Sequence, residues 1–138
     1  RYEMERELLA GTLSVADAPG AWNAKMRQYL GMAPPTDREG ILQDVHWSGG
    51  GIGYFPTYTL GNILASQFFE AATRALPTIP NEIRSGQFSA LYEWLRENIH
   101  RHGRKYPPTE LVKRATGKQL RTEPYLRYLR EKFSGIYQ

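Results

Sequence analysis

The sequence contains no cysteine, so there is no disulfide framework and nothing that argues for an oxidising compartment. It has no run of about eighteen apolar residues and no signal-peptide pattern. No membrane partner is therefore expected, and a cytoplasmic setting is. Charge of one sign is not concentrated either. The formal net charge is +4, with acidic residues set between the basic ones, so the footprint of a nucleic-acid binder is weak and no nucleic-acid partner is expected. The densest basic cluster, His100 to Lys105, reads more simply as a solvated turn at a helix end. There is no GxSxG elbow, no thiol nucleophile and no HExxH. His100 and His102 form the only close histidine pair, and residues two apart do not share a helix face. No metal ligand is assigned in this chain.

What is present is helix punctuated by proline and glycine. At 138 residues the chain is long enough to bury a core, and it reads as one helical region over residues 1–138. Met4 and Leu8 stand at helical spacing before Gly11. Asp17 and Pro19 mark a start for a helix carrying Trp22, Met26, Tyr29 and Leu30, which Gly31 stops. A short turn is expected around Ile41 and Leu42, and a glycine-rich connector over 46–53. The longest pattern runs from Tyr58 to Leu76, with Leu60, Ile63, Leu64, Gln67, Phe68, Ala71 and Ala72 on one broad side. Phe88, Leu91, Tyr92 and Leu95 mark another helix, and ELVKRATG a short one stopped at Gly117. Thr122 and Pro124 open the last, with Tyr125, Leu126, Tyr128, Leu129 and Phe133 on its apolar side. No segment alternates as a strand does. The expectation is an all-α fold of about six helices.

The stretch GGIGYFPTYTLGN, residues 50–62, gathers more aromatic surface than a linker needs. Glycines let the backbone approach closely or turn sharply, and Pro56 stiffens what they loosen. Tyr54 and Tyr58 each carry an O–H that donates to an oxygen bearing negative charge. In a dry pocket such donors stabilise an oxyanion or bind a carboxylate, and His46 adds a group that donates or accepts near neutral pH. The same residues also admit a plainer reading, in which tyrosines packed at a helix entry bond backbone carbonyls.

LQDVHWSGGGIGYFPTYTLGN, residues 42–62, resembles the C-terminal signature of the carboxypeptidase Taq family of zinc metallopeptidases. The core GYFPTYTLGN, residues 53–62, is long and unusual. RYEMERELLAGTLSVADAPG before it, and IHRHGRKYPPTELVKRATG with EPYLRYLREKF after it, resemble the family's flanking segments, so the similarity covers essentially the whole chain. The resemblance implies a mostly helical, cleft-shaped enzyme, often a homodimer, that removes C-terminal residues from peptides. It also implies zinc or another divalent metal, held by an HExxH helix and a downstream glutamate, with the glutamate inside HExxH as general base. None of those ligands is in this sequence, and the arginine-bearing IRxxAD is expected just before residue 1. The chain thus resembles the last quarter or so of the enzyme, which also accounts for a helix that starts at Arg1 without a cap.

In related helical zinc peptidases a histidine and two tyrosines near the entry of a long helix face the metal. On that resemblance Tyr58 is the catalytic donor to the tetrahedral oxyanion. Tyr54 takes the substrate's terminal carboxylate or the backbone beside it, and His46 holds a peptide carbonyl. The run of three glycines departs from relatives that carry a bulkier residue there, which bears on Tyr54 more than on Tyr58. A fragment of this kind, without metal ligands, is expected to be inactive alone and to bind no metal. It is also expected to self-associate through apolar surface such as Ile52 and Phe55. Two other readings compete: an inactive stand-alone homologue that binds peptides or proteins, and a binder of acidic partners through His100–Lys105 with Lys113, Arg114, Lys118 and Arg121.

Overall fold

Proline and glycine divide the helices largely where the local rules place them. The computed structural model describes residues 1–137, and among these there are eight α-helices, two 3-10 turns and no strand. The class is all-α, as expected, with more elements than the six or so anticipated. The additional ones are short. Val45–Ser48 makes a single helical turn that runs into the segment read as a connector, and Ile79–Arg84 forms a helix after Pro77. A four-residue or six-residue helix is too short to show a periodicity, so it is visible only through its caps. The chain separates into two compact units, Arg1–Tyr58 and Thr59–Gln138, with Gln138 itself outside the described residues.

In the first unit, α1 (Tyr2–Leu9) and α2 (Ala18–Leu30) are followed by a 3-10 turn (Ile41–Gln43) and by α3 (Val45–Ser48). Pro19 lies in the first turn of α2, where its missing N–H is not needed. The buried centre is Met4, Ala18 and Trp22, with Leu8, Leu13, Met26, Ile41 and Trp47 packed on it. Trp22 and Trp47 meet edge to face at 6.4 Å, an arrangement aromatic quadrupoles favour. Tyr29 and Leu30, read from spacing as part of the apolar side of α2, are exposed. The Tyr29 hydroxyl instead donates to the Glu3 carboxylate at 2.8 and 2.9 Å, and Lys25 Nζ donates to Glu3 at 2.8 Å and to Glu7 at 3.0 Å. These bonds tie the outer faces of α1 and α2 together. They draw the Glu3 carboxyl below its usual range, chiefly through Lys25 and then Tyr29, and push the Lys25 ammonium up to about 12, chiefly through Glu3 and then Glu7.

Helix α4, Pro56–Ala75, starts with Pro56 as its first residue, two positions ahead of the expected start. Its residues from Thr59 onward belong to the second unit with α5 (Ile79–Arg84), α6 (Ser89–Asn98), a 3-10 turn (His100–His102), α7 (Pro108–Thr116) and α8 (Glu123–Ser134). Ala71, Ala72, Ile79 and Trp94 form its buried centre, with Phe68, Ile83, Leu91, Leu95 and Ile99 against them. Ile63 and Gln67 are buried on α4 as the pattern requires, whereas Leu60 is exposed. Gly117, at φ 76°, ends α7 in the left-handed conformation that glycine adopts without penalty. The Gln67 side chain is fully used. Its Nε2 donates to Thr116 Oγ1 (3.1 Å) and the Gln119 carbonyl (2.9 Å), and its Oε1 accepts the Arg121 N–H at 3.0 Å. An amide that bonds in this way is tolerated in a core, and here it pins the connection between α7 and α8.

Candidate functional site

The site grows from two buried carboxylates in the first unit, neither of which the sequence reading singled out. Glu5, on α1, is only 3% exposed. Its Oε1 accepts the Trp47 indole N–H at 2.8 Å, and its Oε2 accepts the Gly53 backbone N–H at 3.2 Å. One acid thus holds both ends of the glycine-rich segment. Asp44 precedes α3 in extended backbone and caps it, accepting the His46 backbone N–H at 2.7 Å. The same oxygen meets His46 Nδ1 at 3.0 Å, and the other Asp44 oxygen pairs with the Arg1 guanidinium. The Asp44 side chain has no exposed surface, so each of these partners counts toward balancing a charge removed from water.

Between these anchors the chain turns tightly. The Gly51 N–H donates to the His46 carbonyl at 2.6 Å. A Cβ on Gly51 would lie 3.1 Å from that oxygen and 3.3 Å from His46 Cβ. Glycine suits that position because any side chain would press on the histidine, whose backbone would have to give by a few tenths of an ångström. The segment is therefore held by the buried acid and the close turn, despite its glycine content. It delivers Tyr54, Phe55 and the start of α4, where Thr57 donates its hydroxyl to the Tyr54 carbonyl at 2.6 Å.

The three residues expected to form a site are brought together. Tyr54 stacks on the His46 ring with centroids 5.3 Å apart and planes 18° apart. Tyr58 stands edge-on to both, 6.2 Å from His46 and 5.2 Å from Tyr54. The Tyr58 hydroxyl lies 3.3 Å from His46 Nε2. Phe55 closes the cluster from below, 4.9 Å from His46 and covered by the Arg1 guanidinium at 4.6 Å. That cover leaves Phe55 half-buried, while Ile52 is exposed as anticipated. Tyr54 and Tyr58 are 47% and 52% exposed, so their hydroxyls face outward from a packed base. Partial removal from water, followed by the neighbouring Tyr54 hydroxyl, raises the Tyr58 pKa above the ordinary tyrosine value. A hydroxyl shifted that way stays protonated at neutral pH and remains a donor.

Chemically, this is a set of hydrogen-bond donors and acceptors on an aromatic platform, suited to a polar ligand with carbonyl or carboxylate oxygens. Among the described residues no three His, Asp or Glu side chains converge to hold a metal ion. Glu5 and Asp44 went unnoticed because a lone acid beside an apolar face looks the same whether it points outward or in. The one local signal was Asp44 two residues before His46, a capping spacing that would have marked α3.

Comparison with known proteins bears on the whole of this region. The family model described as carboxypeptidase Taq (M32) metallopeptidase matches residues 1–133. Carboxypeptidase 1 of Bacillus subtilis (strain 168) is 42% identical over 137 residues, which is 99% of this chain and 27% of that protein. Thermostable carboxypeptidase 1 of Thermus thermophilus is 44% identical over 137 residues, again 99% of this chain and 27% of the relative. The chain thus spans about a quarter of the length of the curated relatives it matches. Among solved structures, the M32 carboxypeptidase of Deinococcus radiodurans R1 superposes with a TM-score of 0.94 at 50% identity, covering 99% of this chain and 28% of that one. Metallocarboxypeptidase 1 of Trypanosoma cruzi gives 0.92 at 41% identity, over 96% and 27%. The helices, the loop that carries His46, Tyr54 and Tyr58, and the segments flanking it all lie within the matched residues, and on this basis the chain belongs to the carboxypeptidase Taq (M32) metallopeptidase family.

Proposed function

We propose that this chain is the part of a metal-dependent carboxypeptidase that binds the peptide and stabilises the oxyanion. The observation that carries the reading is the Tyr54–His46–Tyr58 cluster, in which a protonated Tyr58 hydroxyl stands 3.3 Å from His46 Nε2 on a base held by buried carboxylates. The parent protein removes C-terminal residues from peptides. Its metal, zinc or another divalent cation, is held by residues outside this chain. The parent works as a cytoplasmic homo-oligomer, and the isolated chain is inactive.

In this reading the platform orients the substrate and Tyr58 supplies the charge-matched donor. As a tetrahedral carbon forms from the scissile carbonyl, negative charge grows on its oxygen, and the Tyr58 O–H donates to that oxygen more strongly than to the ground-state carbonyl. Tyr54 meets the substrate's terminal carboxylate or the adjacent backbone. His46, with both ring nitrogens protonated, holds a peptide carbonyl of the substrate by donating from Nε2.

The test is Tyr58→Phe in the full-length protein, assayed on a short peptide. Losing one preorganised oxyanion donor lowers kcat by roughly a hundredfold or more, with KM changed only a fewfold because ground-state binding is largely kept. Turnover within a fewfold of wild type would remove Tyr58 from this role.

A further inference from the structure

We infer that Asp44 is the positioning residue of the cluster, fixing both the orientation and the tautomer of His46. The argument is one of polarity. Asp44 Oδ2 pairs with the Arg1 guanidinium, so the carboxyl is ionised and can only accept. His46 Nδ1, 3.0 Å from Oδ1 of this group, therefore carries the ring proton. The outward nitrogen, Nε2, is then the one free to meet Tyr58 and a ligand. In the neutral ring Nε2 has a lone pair and accepts. It donates to a peptide carbonyl only when the ring takes up a second proton, and the resulting cation would face the Asp44 carboxylate on its inner side.

Every neighbour restricts the ring in the same sense. The backbone N–H of His46 is bonded to the same Asp44 oxygen at 2.7 Å, so main chain and side chain are held by one acceptor. Tyr54 covers one face and Phe55 approaches edge-on. The backbone of the turn passes so close to His46 that a Cβ added at Gly51 would stand 3.3 Å from His46 Cβ. The charged and titratable groups that face the ring or its anchor are Arg1, Asp44, Tyr54 and Tyr58. The catalytic consequence rests on the substrate role proposed above for His46. The tautomer does not.

The test uses the full-length protein with 15N-labelled histidine. Long-range 1H–15N correlations, recorded where the rings are neutral, report which nitrogen of His46 holds the proton, and the His46→Gln spectrum identifies its signals. The expected result is Nδ1–H with a bare Nε2. A neutral ring protonated at Nε2 overturns the proposal without any further variant. The second readout is a cycle of Asp44→Ala, His46→Ala and the double variant, measured as kcat/KM on a peptide. Asp44→Ala should lower kcat/KM roughly tenfold or more when His46 is present and add little when it is absent. Equal losses in both backgrounds would mean that Asp44 serves only the fold. If Asp44→Ala does not fold, Asp44→Asn, which keeps the size of the group, takes its place in the cycle. Failure of the proposed function is distinguishable: a full-length wild type that does not shorten peptides would overturn the carboxypeptidase reading, and Tyr58→Phe and His46→Ala enzymes with wild-type turnover would overturn the site roles, while the tautomer stood as stated.

Discussion

The two units bury polar groups for different ends. In Thr59–Gln138 the buried amide of Gln67 bonds backbone and a threonine hydroxyl, and it sits beside an apolar centre of Ala71, Ala72, Ile79 and Trp94. The charges of that unit lie mostly on its surface, as Arg96 with Glu93, Arg101 with Glu97 and Arg114 with Glu110, pairs that contribute little individually. In Arg1–Tyr58 the buried polar groups are ionisable acids, Glu5 and Asp44. They hold the segment that presents aromatic hydroxyls to solvent. A buried carboxylate is an expensive way to stabilise a fold, because its desolvation must be offset by several well-aligned donors. Its presence is more understandable where donors have to be held at fixed positions, as a functional platform requires.

That contrast can be broken at several points. Trp94→Ala removes the largest member of the second unit's centre and should cost about 3–5 kcal/mol of stability, measured by urea unfolding, whereas Tyr58→Phe should change stability by about 0.5 kcal/mol or less and remove most of the turnover. A Trp94 variant with normal stability would mean that the packing of this unit has been misread. Glu5→Ala comes next. It leaves the Trp47 indole N–H and the Gly53 N–H without their acceptor, at about 1–3 kcal/mol for each donor that stays buried. Peptide KM should rise as Tyr54 loses its fixed approach, and unchanged stability together with unchanged KM would dismiss Glu5 as an anchor.

Gly51→Ala is milder. Its methyl would press on the His46 carbonyl and Cβ, so a fewfold rise in KM is expected with the fold retained, and an unaltered KM would show that the turn yields without moving His46. The smallest effect concerns pH. Because the folded Glu3 carboxyl lies below its usual range, its contribution is present above about pH 4.3, the unfolded value, and is lost as pH falls through the lower folded value. Lys25, raised to about 12, contributes fully below its unfolded value of about 10.4 and loses that contribution as pH rises through its folded one. Both groups are solvated, so the effect is modest. The melting-temperature difference between wild type and Glu3→Gln should be present at about pH 7 and narrow as pH falls below about 4.3. A difference that persists unchanged into acid would rule out the ionised pair as its source.

The sequence by itself determined the helical class, most helix ends and the identity of the aromatic cluster. The causes are local: the 3.6-residue period selects Ile63, Gln67 and Ala71 for one face, and proline and glycine act on their own backbone at Pro19, Pro56 and Gly117. The strings around GYFPTYTLGN were also distinctive enough to carry the family. Tertiary structure alone decided the division into two units, the exposure of Tyr29, Leu30 and Leu60, and the burial of Glu5 and Asp44. Glu5 bonds Trp47 and Gly53 across 42 and 48 residues, and Asp44 pairs with Arg1 across 43. No window along the chain contains both partners. Whether an acid faces water or a core depends on which donors the fold brings to it, and that is a property of the packed molecule.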